Sequence, residues 1–208
     1  SVVEAIEIAQ RAKVSIEISH FKAIGKDKQS LFDKSLEAIE KAADGGLNIN
    51  FDIYPYTSTA TVFYTLLPDW IAVGGRMKLI ENLKNPQFRN KVMAEMKGPS
   101  VAKAMEGKGG EEFKDIIIAS GNIDKTFIGK TIGSIAKNQN GDILETMINL
   151  LIAAEGKLIV FWPALAEENF VKALQSSLSI IASDGAVYNL EDAKRGLLAH
   201  PRSFGCFT

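Results

Sequence analysis

The 208-residue chain lacks several features that would assign it quickly to a class of proteins. It contains one cysteine, Cys206, which excludes a disulfide framework within the chain and agrees with a reducing compartment. It has no run of about 18 or more apolar residues, and the sequence does not open with the charged and apolar regions of a signal peptide. We therefore predict a cytoplasmic protein without a membrane-spanning segment.

The chain also has no excess of positive or negative charge. The chain carries 24 lysines and arginines against 25 aspartates and glutamates, so no net field favours nucleic acid or an anionic membrane. It has no phosphate loop of the Walker type, no GxGxxG after a strand and no CxxC pair, which removes support for nucleotide binding and thiol redox chemistry. We predict neither a nucleic-acid nor a membrane partner.

What the chain does have is enough apolar sequence, 46%, to bury a full core, which predicts a globular protein. It opens at Ser1 directly in a helical pattern, without a methionine, and it stops at Thr208 without a closing element. We therefore expect it to be a piece of a longer protein.

The first part of the chain alternates between helix and strand periodicity. Helical spacing up to Lys13 is followed by a strand pattern over residues 14–18. Ser30 is a candidate N-cap of a second helix, with Asp33 at capping-box distance, and residues 47–53 form the next strand. A strand, a helix and a strand joined by short connections predict a βαβ unit in a parallel sheet.

A second unit of this kind follows much later, with strands at residues 157–161 and 178–182 around a helix at 167–174. The intervening residues 63–156 have a different pattern, mainly helical with one short strand, which predicts an inserted subdomain or lid. The helices predicted there span residues 77–84, 86–96, 131–137 and 142–154, the strand spans 116–118, and loops are expected at 98–99 and 106–112.

Polar residues capable of chemistry follow the predicted parallel strands, at the edge where such sheets carry their functional loops. His20 follows the first strand and is either a metal ligand or a hydrogen-bonded structural histidine. Lys22, two residues on, contacts a ligand or is a solvated loop lysine. Tyr54, with Pro55 and Tyr56, forms a pocket wall or an aromatic pair at the strand edge.

Two further candidates lie near the end of the chain. Asp184 follows a buried apolar strand, so it is paired or metal-bound, or else it caps the next turn with Gly185 supplying an unusual backbone angle. Arg202 has the fork geometry to clamp a carboxylate or phosphate, or it is a surface arginine. Asp52, inside the second strand, could be a structural hydrogen-bond acceptor.

Taken in order, several segments resemble the N-acyl-D-amino-acid deacylase (D-aminoacylase) branch of the amidohydrolase superfamily. They are ISHFKAIG, FDIYPYTSTAT with LLPDWIAVGG after it, IIASDG and HPRSFG. The resemblance implies an α/β fold, a partial (β/α)8 TIM-type metal-dependent hydrolase barrel with a mainly helical α+β insertion. Residues 1–62 would hold strands six and seven, 63–156 the insertion or lid, and 157–208 strand eight and the following loop.

The resemblance also implies roles for individual residues. His20 matches the zinc-binding histidine that ends strand six, and Asp184 matches the aspartate that ends strand eight, binds metal and acts on the metal-bound water. Lys22, Tyr54 and Arg202 match positions that the family uses around the substrate carboxylate and the scissile amide. The stretch after YPY departs from the family's usual small-residue pattern, which leaves Thr59 or Thr61 as the candidate for the hydroxyl contact.

Other elements of the family pattern are absent from these 208 residues: the first HxH pair, the bridging cysteine or glutamate, and a THMRDE-like block. The implied zinc site is thus incomplete in this chain, with His200 the weakest candidate for a third ligand. Unpaired sheet edges lead us to expect a homo-oligomer, or coverage of the edges by the insertion.

The implied reaction is zinc-dependent hydrolysis of N-acyl-D-amino acids to a carboxylate and a free D-amino acid, with a small-molecule substrate and with this chain alone inactive. The alternatives are a dihydroorotase-like or hydantoinase-like cyclic amidase, and a non-catalytic remnant or interaction domain.

Overall fold

The computed structural model describes residues 1–26, 28–97, 110–189, 191, 194 and 196–204. Cys206, the loop predicted at 98–99 and most of the loop predicted at 106–112 lie outside these residues. The helices and strands are α1 (Val2–Ala12), β1 (Ile16–Ile18), α2 (Gln29–Asp44), β2 (Ile49–Ile53), β3 (Thr59–Val62), α3 (Gly75–Lys84), α4 (Pro86–Lys97), β4 (Ile117–Gly121), α5 (Ile132–Asn138), α6 (Ile143–Ala153), β5 (Leu158–Trp162), α7 (Glu167–Gln175) and β6 (Ser179–Ile181). Short 3-10 turns include Pro201–Ser203.

The chain divides into two compact units. The first contains Ser1–Thr57, Ala164–Val187 and the stretch that starts at Pro201, and the second contains Ser58–Pro163 and Tyr188–His200. We had expected the changes of segment after residues 62 and 156. The first observed boundary lies after Thr57, five residues earlier than expected, and the second lies after Pro163, seven residues later. The boundaries differ because β3 and β5 pair with each other and both belong to the second unit.

The first unit contains a parallel sheet in the order β1, β2, β6. Ile16 of β1 lies opposite Ile49 of β2, and Phe51 of β2 lies opposite Ser179 of β6. The parallel βαβ unit predicted from the sequence is confirmed, and with it the α/β class. Since β2 is the central strand, its apolar residues are covered on both sides and are almost completely buried.

The core of the first unit lies between this sheet and its helices. Phe21, Phe32 and Phe51 form its aromatic centre, with the Phe21 ring centroid 4.8 Å from that of Phe32 and 5.0 Å from that of Phe51. Aromatic pairs at this spacing add stability beyond the area that they bury. Phe21 directly follows His20, so this cluster fixes the backbone from which the predicted site residues project.

The start of α2 differs from the prediction. Ser30 lies inside the helix, which begins at Gln29 after Lys28, and Lys28 makes no side-chain capping bond. The carboxylate of Asp33, expected in a capping box, instead pairs with the Lys172 ammonium of α7 at 2.6 Å. The capping prediction was wrong because the helix begins one residue before Ser30, so Ser30 lies within its first turn.

The second unit contains an antiparallel sheet in the order β3, β5, β4. Thr59 lies opposite Trp162, and Val62 lies opposite Ile159. The sequence pattern predicts that residues 157–161 belong with the parallel strands, and this prediction is wrong. The run KLIVF is apolar at every position from Leu158 on, as a central strand buried on both faces requires, and that pattern does not distinguish a parallel from an antiparallel neighbour.

The helices of the second unit lie where the sequence predicted them, within two residues at each end. The most apolar is α6, whose buried residues include Leu144, Met147 and Leu151. Asp142 caps it, because its Oδ1 accepts a hydrogen bond from the Glu145 N–H at 3.0 Å. No helix in the part of the chain that the structure describes is both long enough and apolar enough to cross a membrane.

Candidate functional site

The carboxyl ends of β1, β2 and β6 carry the polar residues singled out from the sequence. His20 follows β1, Tyr54 follows β2 and Asp184 follows β6, all within the first unit. Because these strands run parallel, their carboxyl ends meet at one edge of the sheet. Arg202, in the turn Pro201–Ser203, belongs to the same unit.

Arg202 is the most deeply placed charge of this group. Its guanidinium carbon lies 4.5 Å from the centroid of the Tyr54 ring, and its Nη1 lies 3.0 Å from Oδ2 of Asp184. The Arg202 side chain is 7% exposed, so it is not a surface arginine. A guanidinium stacked on an aromatic face and held beside a carboxylate keeps one orientation, as recognition of a second planar anion would require.

Asp184 itself adopts the unusual backbone angle that the sequence suggested for Gly185, with φ of 45°. Gly185 is needed for a different reason: an added Cβ would lie 3.1 Å from the Cα of Ser203 and 3.2 Å from the carbonyl oxygen of Arg202. The glycine therefore permits the close approach of the Asp184 loop to the turn that carries Arg202.

Lys22 completes the cationic side of the site. Its Nζ lies 5.2 Å from the centroid of the Tyr54 ring and donates a hydrogen bond to the carbonyl oxygen of His20 at 3.2 Å. Burial lowers the pKa of Lys22; the Asp184 charge acts in the opposite direction, and Arg202 lowers the pKa further. Lys22 is therefore a partly desolvated cation, which strengthens its interaction with any anion that enters.

Asp52 holds the turn at the end of β1. Its Oδ1 accepts a hydrogen bond from the His20 N–H at 2.7 Å, and its carbonyl oxygen accepts one from the Phe21 N–H at 2.8 Å. These bonds hold His20 at φ of 44°, a left-handed conformation that a residue with a Cβ seldom adopts. The interpretation of Asp52 as a structural acceptor is confirmed.

Glu17 is a further acidic residue near Asp52, and sequence reasoning did not single it out. The pKa of Glu17 is raised, first by a hydrogen bond with the Asp52 side chain and then by burial and by the Asp52 charge.

A narrow cleft opens beside Lys22 and Tyr54. Its walls are mostly apolar and its polar residue of greatest interest is Asn169, in the first turn of α7. Asn169 is 5% exposed. Sequence reasoning missed it, since an asparagine in the first turn of a helix is ordinarily a solvated residue and nothing in the local pattern marks it as buried.

The described residues do not form a complete zinc site. Across residues 1–26, 28–97, 110–189, 191, 194 and 196–204, no three histidine, cysteine, aspartate or glutamate side chains come together as a ligand group. His200, the weakest of the sequence candidates, is buried in the second unit, with Nε2 3.1 Å from the Ser58 carbonyl oxygen and its ring edge-on to Phe161. Its interpretation as a third ligand is corrected: it is a packed, hydrogen-bonded histidine.

Thr59 and Thr61, the candidates for a substrate hydroxyl contact, lie in β3 of the second unit. Thr59 is buried opposite Trp162, and Thr61 Oγ1 lies 3.0 Å from Thr65 Oγ1. Their contact with a substrate stays a prediction.

Comparison with solved structures finds the same architecture elsewhere. An N-acyl-D-glutamate deacylase from Bordetella bronchiseptica, solved with zinc and a phosphonate inhibitor that mimics the tetrahedral intermediate of its reaction, matches over 98% of this chain and 32% of its own, with 18% identity and a TM-score of 0.62. The chain shares the fold of the D-aminoacylases. The resemblance inferred from the sequence segments is thereby confirmed at the level of the fold.

Two D-aminoacylase structures extend this finding. One, described with a binuclear metal centre, has 17% identity and a TM-score of 0.60 over 98% of this chain and 31% of its own. The other, described as defining a novel subset of amidohydrolases, has 16% identity and a TM-score of 0.55 over 88% of this chain and 29% of its own. This chain therefore spans about a third of the length of the solved proteins that it matches. No protein-family model matches the chain, and no curated protein matches it either.

Proposed function

We propose that this chain is part of a cytoplasmic, zinc-dependent amidohydrolase that cleaves the amide bond of N-acyl-D-amino acids, giving a carboxylate and a free D-amino acid. In this proposal the first unit supplies strands six to eight of a (β/α)8 barrel, and the second unit is the insertion between strands seven and eight. The observation that carries the proposal is the placement of Lys22, Tyr54, Asp184 and Arg202 at the carboxyl ends of β1, β2 and β6.

The part of the reaction that this chain can perform is recognition of the substrate carboxylate. Lys22 and Arg202 are two cations that both lie against the Tyr54 ring. A carboxylate placed between them exchanges water for two charge-assisted hydrogen bonds. Arg202 is buried and Lys22 is half-buried. The lower local dielectric constant makes each bond stronger than it would be on the surface.

Asp184 would sit beside the bound substrate as a proton acceptor. Its carboxylate lies 3.0 Å from the Arg202 guanidinium. A substrate carboxylate competes for that guanidinium, so its arrival weakens the hold of Arg202 on Asp184.

The described residues do not complete a site for zinc. The proposal assigns zinc chemistry to the whole protein, and we expect the 208-residue chain alone to be inactive and to bind zinc weakly. Stoichiometric zinc by plasma mass spectrometry, together with turnover of N-acetyl-D-alanine, would contradict that expectation. Hydantoin belongs in the same assay, because turnover of this cyclic amide alone would favour a cyclic amidase.

Carboxylate recognition can be tested on the chain itself by isothermal titration calorimetry. N-acetyl-D-alanine is compared with N-acetyl-D-alaninamide, which differs only in the carboxylate. We expect the acid to bind about tenfold more tightly than the amide. This preference should shrink in Arg202→Gln, because one of the two charge-assisted bonds is lost.

Arg89→Gln is the matched control. Arg89 also lies near a carboxylate, with Nη2 3.2 Å from Oε1 of Glu145, but in the second unit. This variant should keep the preference of the unmodified chain. Equal affinity for the acid and the amide in the unmodified chain would overturn the proposal.

A further inference from the structure

The cleft beside Lys22 and Tyr54 contains a polar group that carboxylate recognition does not use. The floor and walls of the cleft are largely apolar. The apolar lining comes from Phe21, Ala23, Phe32, Ile53, Leu165, Ala166 and Phe170.

Asn169 contributes its carboxamide to this cleft. Among the residues that the structure describes, neither Oδ1 nor Nδ2 of Asn169 has a hydrogen-bond partner, although the residue is only 5% exposed. A buried amide with both ends unsatisfied destabilises the folded chain, and leucine would fill the same volume without that cost. The unsatisfied amide therefore points to a partner that arrives from outside the chain.

The chemistry of that partner follows from the two ends of the amide. Oδ1 accepts a hydrogen bond and Nδ2 donates one, so a single group satisfies both only if it contains a donor and an acceptor side by side. A carboxylate would satisfy Nδ2 and would face Oδ1 with a second lone pair. A primary carboxamide satisfies both, and its lack of charge suits the apolar walls.

The position of Asn169 relates the cleft to the proposed carboxylate site. Lys22 and Tyr54 line the cleft and also form the cationic site with Arg202. The cleft and the cationic site therefore share Lys22 and Tyr54.

We propose that this cleft is a specificity subsite for a small carboxamide-bearing side chain of the substrate, such as that of an N-acyl-D-asparagine, and that Asn169 is its specificity-determining residue. This inference rests on the proposed function for the carboxylate anchor, whereas the pairing of Asn169 with a carboxamide does not depend on it. An apolar side chain of the same shape leaves the Asn169 amide unsatisfied, and discrimination arises from that difference.

The test uses calorimetric titration of the full chain with N-acetyl-D-asparagine and N-acetyl-D-leucine, which are similar in shape and differ in the side-chain amide. We expect the asparagine derivative to bind about tenfold more tightly to the unmodified chain. In Asn169→Leu that preference should vanish or reverse, and the thermal midpoint should rise by about 3 °C because the unsatisfied amide is gone.

Two further variants test this interpretation. Asn169→Asp keeps the shape but replaces the donor with an acceptor, so it should also lose the preference for the amide, even if Asn169→Leu fails to fold. Asn82→Leu is the matched control, because Asn82 is a buried asparagine of the second unit whose Nδ2 already donates to the Ile71 carbonyl oxygen. It should lose stability and keep the preference.

Acetamide and N-acetylglycine separate this inference from the proposed function. Acetamide carries the carboxamide alone, and we expect it to shift the Asn169 side-chain resonances in an NMR titration of the unmodified chain. N-acetylglycine carries the carboxylate without a side chain, and its affinity should be the same in Asn169→Leu as in the unmodified chain. Failure of N-acetylglycine to bind, with acetamide still binding, would overturn the carboxylate site and leave the subsite standing.

Equal affinity of the unmodified chain for the asparagine and leucine derivatives would overturn the subsite. So would an unchanged NMR spectrum on addition of acetamide, or a lower thermal midpoint in Asn169→Leu.

Discussion

The strength of the Asp184–Arg202 pair can be predicted from its surroundings. Nη1 and Oδ2 lie 3.0 Å apart, with the arginine side chain 7% exposed and the aspartate side chain 34% exposed. At that separation the Coulomb energy is about 5 kcal/mol at an effective dielectric constant of about 20, and about 1.4 kcal/mol in water. Desolvation of the guanidinium offsets part of the larger figure, and the exposure of Asp184 reduces it further. We expect a coupling energy of about 2 kcal/mol.

A double-mutant cycle measures this coupling. Asp184→Asn, Arg202→Gln and the double variant are compared with the unmodified chain by urea denaturation at pH 7, and the coupling is the departure from additivity. The pair Lys78–Glu81 serves as a control, because its charged atoms are 2.9 Å apart but its side chains are 49% and 70% exposed. The control cycle should give about 0.3 kcal/mol, as exposed ion pairs on helices do.

Distance alone would give both pairs the same coupling. A coupling for Asp184–Arg202 as small as that of the control would therefore refute the reasoning that burial strengthens this pair. The same variants offer a second measurement. Because Asp184 raises the pKa of Lys22 and Arg202 lowers it, Asp184→Asn should lower that pKa further and Arg202→Gln should raise it, by NMR titration of the Lys22 side chain.

Two further predictions concern pH and capping. Glu17→Gln should be more stable than the unmodified chain at pH 7, because the pKa of Glu17 is raised and the stability of the unmodified chain falls as pH rises from 4.5 through the folded-state pKa. The two chains should converge below pH 4.5. A difference in thermal midpoint that does not change with pH would count against a raised pKa of Glu17. Asp142→Ala should lose about 1 kcal/mol at pH 7 by urea denaturation, because the first turn of α6 loses its cap. Burial raises the pKa of Asp142, but the bonds from Glu145 and Lys97 outweigh it and lower the pKa, so this loss should shrink as pH falls below 3.8; a constant loss would show that the carboxylate charge is irrelevant.

The sequence predicted what depends on local pattern. The strands that end at His20, Tyr54 and Asp184 are short apolar runs bounded by turns, and their parallel pairing follows from the helix between the first two. The edge of the sheet that carries these residues was therefore predictable from the sequence alone.

What depends on distant contacts was not predictable. Asp33 pairs with Lys172, and no local pattern predicts a partner so far along the chain. The burial of Asn169 depends on aromatic residues contributed by other elements, which sequence periodicity does not reveal. The positive φ angle belongs to Asp184 and not to Gly185. Gly185 is needed because a side chain at that position would crowd the backbone of Arg202 and Ser203.

The pairing of β3 with β5 has a consequence for how the chain folds. β2 and β6 are neighbours in the parallel sheet, yet the whole second sheet is encoded between Ile53 and Ile181. Thr59 and Trp162 lie opposite each other, so once the second unit has formed, it brings the chain that leaves β2 and the chain that enters α7 side by side. The entropy of closing a long loop then no longer opposes the addition of β6. Substitutions that weaken β3–β5 pairing should slow assembly of the Arg202 site without altering any of its residues.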